Sequence, residues 1–264
     1  MNMPPIGLGT WPLREGEAER VVAEALALGY RHIDTAQMYG NEGDVGAGIA
    51  AANLPREDLY VVTKVHQDRF GEDRVMASAE DSLRALDCDY LDLLLVHWPP
   101  KDVAVERVVE QLEAVREAGI CRAIGVSNFT RPQLRAAASV ARIETNQVEY
   151  HLLIDQAPLK AEADSLGISL TAYMPVARGK AFQPEAVYEV AVKLGATPPQ
   201  VALAWIVAMG VIPIPMSTKP ANLASNLAAM DLEIPPDDLV RLTALTAGHQ
   251  RFCRHATWEP DWDA

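Results

Sequence analysis

Four residues of acid–base type stand at or just after the ends of short apolar runs in this sequence: Asp34, Tyr39, Lys64 and His97. A tyrosine hydroxyl ordinarily has a pKa of about 10, and a neighbouring ammonium lowers that pKa because it stabilises the phenolate. Lys64 would supply this charge, Asp34 would keep Lys64 charged and directed, and His97 would donate a hydrogen bond to a substrate oxygen. The set predicts Tyr39 as a general acid that protonates an oxygen.

Short β-rich runs alternate with longer helical patterns along the chain, as in βα units built around a parallel sheet. The helical patterns include residues 184–194, 198–209 and 220–230. An open doubly wound sheet is disfavoured because no G-x-G-x-x-G follows an early run. We therefore predict an α/β fold of one domain, a closed (β/α)8 TIM barrel over residues 1–264. The eight predicted strands are residues 6–10, 31–35, 59–65, 91–97, 121–127, 143–149, 169–173 and 211–215.

In a barrel of this kind the active site forms at the carboxyl ends of the strands. Asp34, Lys64 and His97 lie at those ends in the second, third and fourth predicted strands. We expect their side chains to converge on one mouth of the barrel. Polar or aromatic residues of the fifth to seventh strands would join them there, namely Ser127, Asn128, Gln147 and Tyr173.

The composition limits the kinds of partner that the protein can have. The 264 residues include 23 Lys and Arg against 36 Asp and Glu, a formal net charge of −13. A nucleic-acid-binding surface needs surplus positive charge, so we expect no nucleic-acid partner. The chain has no signal-peptide pattern and no run of about 18 apolar residues, so we expect a cytoplasmic protein without a membrane partner. We also expect a monomer.

The three cysteines, Cys88, Cys121 and Cys253, form no CxxC pair and have no metal-like spacing. An odd, scattered set argues against both a disulfide framework and a zinc site. We expect inert thiols in a reducing compartment and no bound metal.

Longer motifs surround the candidate residues. They read GLGTW at 7–11, GYRHIDTA at 29–36, YGNE at 39–42, TK at 63–64, HWP at 97–99, IGVSNF at 124–129 and NQVEY at 146–150. Together they resemble the aldo-keto reductase superfamily over essentially the full chain. The resemblance implies that Asp34, Tyr39, Lys64 and His97 form the family's catalytic tetrad. It also implies that Tyr39 is the proton donor, and that hydride comes from a nicotinamide cofactor bound without a Rossmann domain.

The resemblance further implies the binding contacts. Ser127, Asn128 and Gln147 would hold the nicotinamide carboxamide, and Tyr173 would stack on the ring. The expected cofactor contacts are Thr10, Trp11, Ser127, Asn128, Gln147, Tyr173, Pro175, Ser217, Thr218, Lys219, Asn222 and Asn226. The expected substrate contacts are Trp11, Tyr39, His66, His97 and Trp98.

Residues 214–226 align with the family's adenosine-phosphate loop, and there the chain departs from the family. Met216 and Asn222 stand where a Lys and an Arg usually grip a 2′-phosphate, and Ser225 replaces the usual Glu. Residues 217–219, Ser-Thr-Lys, would still bind phosphate at the start of a helix. NADP(H) is therefore the leading cofactor, and NAD(H) stays an open alternative.

Two further positions bear on the substrate. His66 stands where many relatives carry a pocket-lining Trp, and this more polar wall would suit a polar or acidic substrate. Three residues of the segment after Gln250, hereafter the tail, would reach an anionic substrate if the tail folds over the mouth: Arg251, Arg254 and His255.

Within the family, residues 173–175 (Tyr-Met-Pro) and 217–219 most resemble the small bacterial 2,5-diketo-D-gluconate reductase type, which also reduces methylglyoxal. The predicted function is NAD(P)H-dependent reduction of an aldehyde or ketone group of a small substrate to an alcohol. The alternative is a nicotinamide-binding regulatory or redox-sensing barrel protein with little turnover. The complete tetrad argues against that alternative.

Overall fold

The computed structural model describes residues 3–14, 16–72 and 74–262. Within them, eight parallel strands form one sheet whose spatial order is the chain order, and helices lie between the strands, which confirms the predicted (β/α)8 barrel fold. The ends of the predicted domain, residues 1–2 and 263–264, lie outside the described residues. The strands are β1 (Leu8–Gly9), β2 (His32–Asp34), β3 (Tyr60–Val65), β4 (Leu91–Val96), β5 (Cys121–Ser127), β6 (Thr145–Glu149), β7 (Ser169–Tyr173) and β8 (Val211–Pro213).

The first and last strands meet along a seam that closes the barrel. The Gly7 amide donates to the Pro213 carbonyl at 3.0 Å, and the Gly9 amide donates to the Pro215 carbonyl at 3.1 Å. Proline has no N–H to return a hydrogen bond, so every donor that we see across this seam comes from the first strand. The regular strand β8 accordingly ends at Pro213, before the predicted residue 215. The approach is close, because a Cβ on Gly9 would lie 2.8 Å from the Ile214 carbonyl oxygen.

The helices follow the predicted patterns with small shifts at their ends. Pro184 has an extended backbone and precedes the first turn, so the helix predicted from residue 184 begins one residue later. The helix predicted over 220–230 ends at Ala228, and a 3₁₀ turn continues over Ala229–Asp231. The helices are α1 (Glu17–Leu28), α2 (Glu42–Ala51), α3 (Val75–Leu86), α4 (Val105–Glu117), α5 (Arg131–Val140), α6 (Ala157–Ser165), α7 (Glu185–Leu194), α8 (Pro198–Ala208), α9 (Pro220–Ala228) and α10 (Pro236–Thr243).

The strand period decides which side chains enter the barrel. One apolar cluster forms from Tyr60, Val62, Leu93 and Leu95 on the neighbouring strands β3 and β4. Because alternate residues of a strand point to the same face, Lys64 continues the Tyr60–Val62 row, and His97 continues the Leu93–Leu95 row. Asp34 follows His32 on β2 in the same way, and the His32 ring packs edge-on against Tyr60 at 5.5 Å. Apolar side chains thus fill the interior below the polar ends of these strands.

Helix α8 packs along the outside of the sheet with most of its residues buried. It begins at a capping box in which the Gln200 amide donates to the Thr197 hydroxyl and the Thr197 amide donates to the Gln200 side chain. Among the described residues, no single helix is long and apolar enough to cross a membrane; α7 and α8 pass that test only as a pair, with a bend of 92° between them.

Candidate active site

A buried ion pair lies at the carboxyl ends of β2 and β3. Lys64 Nζ donates to Asp34 Oδ1 at 2.5 Å and to the Thr35 carbonyl at 2.8 Å, and both charged side chains are 1% exposed. The second carboxylate oxygen of Asp34 accepts a hydrogen bond from Gln147 Nε2 at 2.7 Å. Asp34 is therefore held from two sides, and the ammonium of Lys64 has a fixed direction.

Tyr39 lies beside this pair on a 3₁₀ turn, Gln37–Tyr39, which follows β2. The ammonium of Lys64 lies 5.2 Å from the centroid of the Tyr39 ring, and its charge acts on the Tyr39 hydroxyl. The Tyr39 ring meets the edge of His97 at a centroid distance of 5.5 Å and lies 5.3 Å from the ring of Trp11. The structure thus brings the four predicted catalytic residues together.

Two amide side chains hold the turn that carries Tyr39. Gln37 Nε2 donates to the Ser78 carbonyl at 2.8 Å and to Ser82 Oγ at 2.9 Å, which ties the turn to α3. Asn41 is 4% exposed, and its Nδ2 donates to the Thr10 carbonyl at 3.1 Å and to the Leu13 carbonyl at 3.0 Å. The loop that bears Trp11 is thereby fixed against the Tyr39 turn, and a cavity of about 630 Å³ opens between them.

Burial and the neighbouring charges set the protonation states. Burial raises the pKa of Tyr39 above its ordinary value, and Lys64 offsets only part of that rise. The sequence-based expectation of a lowered pKa is therefore wrong for this structure, because desolvation outweighs the ammonium. Burial acts to lower the pKa of Lys64, but Asp34 and Tyr39 outweigh it, so this pKa is raised. Tyr39 thus keeps its proton, and Lys64 keeps its charge.

Burial lowers the pKa of His97 well below its ordinary value, and Lys64, His66 and His255 lower it further. The ring is therefore neutral at pH 7. Its Nδ1 is buried and has no hydrogen-bond partner among the residues that the structure describes. A neutral imidazole carries one N–H, so His97 can donate to an oxygen placed beside Tyr39.

The predicted amide-binding residues form one hydrogen-bonded cluster beside the tetrad. Asn128 Nδ2 donates to Ser127 Oγ and to the His97 carbonyl, each at 3.1 Å, and Ser127 Oγ donates to the Gln147 carbonyl at 2.9 Å. The Tyr173 hydroxyl donates to Asn128 Oδ1 at 2.7 Å. Asn128 adopts a positive φ of 64°, which asparagine tolerates better than most residues. Amide and hydroxyl groups that can pair with a carboxamide therefore lie next to Asp34.

A model of the aldo/keto reductase family matches residues 5–247, nearly the whole chain. The chain belongs to the aldo/keto reductase family. Methylglyoxal reductase DkgB of Escherichia coli O157:H7 is 41% identical over 268 residues, which cover 100% of both proteins. An aldo-keto reductase of Mycolicibacterium smegmatis is 37% identical over 250 residues, which cover 94% of this chain and 91% of that protein.

Solved structures agree with this assignment. The crystal structure of a putative 2,5-diketo-D-gluconic acid reductase B is similar with a TM-score of 0.96 at 39% identity, covering 99% of this chain and 94% of that one. An aldo-keto reductase of Bombyx mori in complex with NADP is similar with a TM-score of 0.91 at 30% identity, covering 98% and 95%. As a member of this family, the protein is an NAD(P)H-dependent oxidoreductase.

In this family member, the carboxyl-terminal tail adds an aromatic wall to the mouth of the barrel. The His255 ring stacks on Trp258 at 4.4 Å and meets the edge of Trp98 at 5.6 Å. Trp258 in turn meets the His66 ring at 5.5 Å. The four rings of His66, Trp98, His255 and Trp258, hereafter the aromatic wall, join two loops of the barrel through the tail. Of the two tail members of this wall, His255 was expected to reach an anionic substrate if the tail folds over the mouth, whereas Trp258 was not predicted as a substrate contact.

The expected cationic tail is only partly present at the mouth. Arg251 lies 3.8 Å from Glu149 and stacks over Trp262, and Arg254 pairs with Glu259 at 2.6 Å. Both arginines are thus engaged by other groups, and only His255 of the three predicted residues contacts the mouth. The tail does fold over the barrel, but Arg251 lies against Glu149 of β6 and Trp262, and Arg254 lies against Glu259.

The adenosine-phosphate loop runs from β8 into α9. Ser217 Oγ accepts a hydrogen bond from the Lys219 amide at 3.2 Å, which gives the loop a tight turn. Met216 is partly buried and packs on the core, whereas Asn222 is exposed in the first turn of α9. Arg20, on α1, donates to the Thr218 carbonyl at 3.4 Å. Sequence reasoning missed Arg20, since only the packing of α1 on α9 brings it to this loop.

The remaining predicted contacts lie on both sides of the tetrad. Thr10 is fully buried, and its Oγ1 donates to the Asp34 carbonyl at 3.1 Å. Pro175 is buried after Met174, which has a positive φ of 51°. Asn226 is 8% exposed on α9, so only a small part of its surface is accessible to a cofactor.

Proposed function

We propose that this aldo/keto reductase reduces the carbonyl group of small aldehydes and ketones with NADP(H), using Tyr39 as the general acid, and that residues 1–264 form one catalytic unit. The observation that carries the proposal is the position of one buried ammonium, Lys64, which donates to Asp34 and lies 5.2 Å from the centroid of the Tyr39 ring. This arrangement keeps the phenol protonated before the reaction and stabilises its anion once the proton has left.

Each residue of the tetrad has a separate task in this proposal. Tyr39 transfers its hydroxyl proton to the carbonyl oxygen, while the neutral His97 donates a hydrogen bond to the same oxygen. Lys64 stabilises the resulting phenolate, and Asp34 keeps Lys64 in place. The bound nicotinamide supplies the hydride that the carbonyl carbon accepts.

The chemistry of the donor set fits a nicotinamide. Beside the tetrad, Asn128 and Gln147 provide amide groups, and Ser127 provides a hydroxyl group. Tyr173 offers an aromatic face next to them, and its hydroxyl already bonds to Asn128. We assign these four residues to the carboxamide and the ring of the cofactor.

The choice of NADP(H) over NAD(H) rests on the loop before α9. Lys219 is exposed there and places a cation directly before the first turn of the helix; the Arg20 guanidinium, which pairs with Glu24, also donates to the Thr218 carbonyl of the loop. Cations and helix N–H groups favour a phosphate. The Bombyx mori relative in complex with NADP supports the same choice.

The substrate class follows from the wall and from the relatives. The aromatic wall narrows the mouth beside Trp98, which suits short carbonyl compounds. Its two histidines add polar edges, which suit an oxygen-rich or acidic substrate. The relatives named methylglyoxal reductase and 2,5-diketo-D-gluconic acid reductase B support this choice. We therefore propose methylglyoxal-like and diketogluconate-like substrates.

The experiment follows cofactor oxidation at 340 nm by purified protein with methylglyoxal and with 2,5-diketo-D-gluconate. NADPH and NADH are run side by side. Faster turnover with NADPH is expected. Turnover with NADH alone would refute the cofactor assignment. Tight cofactor binding without turnover of either carbonyl would favour a regulatory nicotinamide-binding protein instead.

A further inference from the structure

The carboxylate of Glu149 is completely buried at the carboxyl end of β6, outside the tetrad. Its Oε1 accepts hydrogen bonds from the Phe252 amide at 2.7 Å and from His151 Nε2 at 2.9 Å. Its Oε2 accepts from the Cys253 amide at 3.0 Å. Two of its three donors therefore belong to the backbone of the tail.

A buried carboxylate is costly unless charged or polar donors satisfy it. At Glu149 most of that compensation exists only while residues 252 and 253 are docked on the barrel. Glu149 and Phe252 are 103 residues apart in the chain, so this is a tertiary contact. The hydrogen bonds from the Phe252 and Cys253 amides to Glu149 are hereafter called the fastening. Amides that bond to an ionised carboxylate make stronger hydrogen bonds than neutral pairs do.

This fastening lies directly before the tail residues of the aromatic wall. Tyr173 is the register partner of Glu149 across β6 and β7. Burial raises the pKa of the Cys253 thiol, and Tyr173 acts to lower it. His255 follows two residues later and packs on Trp98, and Trp258 then reaches His66. The position of Phe252 and Cys253 therefore determines the position of His255 and Trp258 in the aromatic wall.

We propose that Glu149 is a positioning residue for substrate selection: its buried carboxylate fixes the tail at Phe252 and Cys253, and so holds His255 and Trp258 across the mouth, where they exclude bulky carbonyl compounds. This inference rests on the proposed carbonyl reduction. It adds a residue that contacts no reacting group and yet determines which substrates enter. Glu149 acts through the tail and through no member of the tetrad.

The test compares Glu149→Gln, Trp258→Ala and the double variant with the wild type. Each is assayed with methylglyoxal and with the bulkier 4-nitrobenzaldehyde. The ratio of kcat/KM for the bulky over the small aldehyde should rise about tenfold in each single variant, mainly through KM, since a pocket wall acts on binding. The matched control is Glu144→Gln, which removes the carboxylate that precedes β6 and lies 3.5 Å from the exposed Arg142.

The double variant decides whether the two residues act together. If Glu149 acts through the tail, the kcat/KM ratio of the double variant stays near that of either single variant, because both changes remove the same wall. Independent, multiplying effects would overturn the proposal. An unchanged ratio in a folded Glu149→Gln protein would overturn it as well.

A second readout does not depend on turnover. Hydrogen exchange of a peptide that covers residues 250–255 should speed up about tenfold in Glu149→Gln, while strand β5 keeps its protection. If the Gln variant does not fold, Glu149→Asp replaces it in the test. This variant keeps the charge but shortens the side chain, and it should give the same local increase in exchange. Full protection of residues 252 and 253 in a folded variant would refute the fastening. Absence of any carbonyl reduction by the wild type would refute the proposed function, and exchange would still report on the tail.

Discussion

The ammonium of Lys64 lies 2.5 Å from Oδ1 of Asp34, and neither side chain is more than 1% exposed. These residues stand on neighbouring parallel strands, where Asp34 pairs in register with Val62, two positions before Lys64. A charge pair without access to water is stable only with good geometry and further hydrogen bonds. Thr35 and Gln147 supply those bonds, so the pair has one arrangement.

Replacing Tyr39 by Phe removes the proposed proton donor and keeps the ring. We expect kcat to fall by about 10² to 10⁴, the usual contribution of a positioned acid. Cofactor affinity, measured by fluorescence titration, should stay within about twofold. The control Tyr188→Phe removes a hydroxyl from the exposed side of α7 and should leave kcat intact. Full activity of the Tyr39 variant would assign the acid to another group.

Replacing Lys64 by Met leaves Asp34 buried without its ammonium. The free energy of unfolding should fall by about 3–5 kcal/mol, and turnover should be lost with it. The double variant Lys64→Met/Asp34→Asn should regain more than half of the stability, because no unpaired charge is left, and should regain no activity. Urea unfolding and initial rates check the two parts separately. Recovery of activity in the double variant would contradict the role of the cation.

The cofactor preference should respond to single charges near α9. Lys219→Ala should lower the kcat/KM ratio of NADPH over NADH about tenfold, and Asn222→Arg should raise it by a similar factor, since about 1.4 kcal/mol corresponds to tenfold. Both effects should shrink at high salt. Lys193→Ala removes a lysine that pairs with Asp238 elsewhere and serves as the control. An unchanged ratio in both loop variants would place the 2′-phosphate contact elsewhere.

His32 should make the protein less stable in acid. Burial is the main cause that lowers its pKa from 6.5 to about 4. Between pH 6.5 and 4, His32 is protonated in the unfolded chain but not in the folded protein. The contribution of neutral His32 to stability is therefore fully present above pH 6.5 and declines as the pH falls toward 4. The full loss is about 3 kcal/mol, from about 1.4 kcal/mol per unit. Urea unfolding of wild type and His32→Leu at pH 7.5 and 4.5 should show a smaller loss in the variant; equal losses would contradict this.

Gly46 on α2 should be intolerant of a methyl group. A Cβ there would lie 2.5 Å from the carbonyl oxygen of Leu86 at the end of α3. Because that atom belongs to the backbone, Gly46→Ala should cost about 1–3 kcal/mol despite the better helix propensity of alanine. Gly43→Ala, on the same helix but exposed, has only an ordinary contact at 3.9 Å and should be neutral or stabilising. Thermal unfolding of both variants measures the difference.

Local patterns in the sequence predicted much of the fold. Alternating β-rich and helical periods placed the strands to within a few residues, because a strand buried on both faces and an amphipathic helix each carry their own repeat. The same periodicity puts Lys64 on the inward row of β3, and the neighbouring strand β2 then brings Asp34 to it. The ends of elements were less exact, as at Pro213, where missing N–H groups stop the regular pairing at the seam.

Contacts between distant segments came only from the tertiary structure. Arg20 meets Thr218 across 198 residues, and Glu149 meets Phe252 across 103, and no local repeat encodes either pair. The direction of the Tyr39 pKa was likewise decided by folding, since burial of the ring outweighs the lysine that the sequence pointed to. Residue types and their periods are properties of short segments, whereas desolvation and the docking of a tail depend on which surfaces the whole chain brings together.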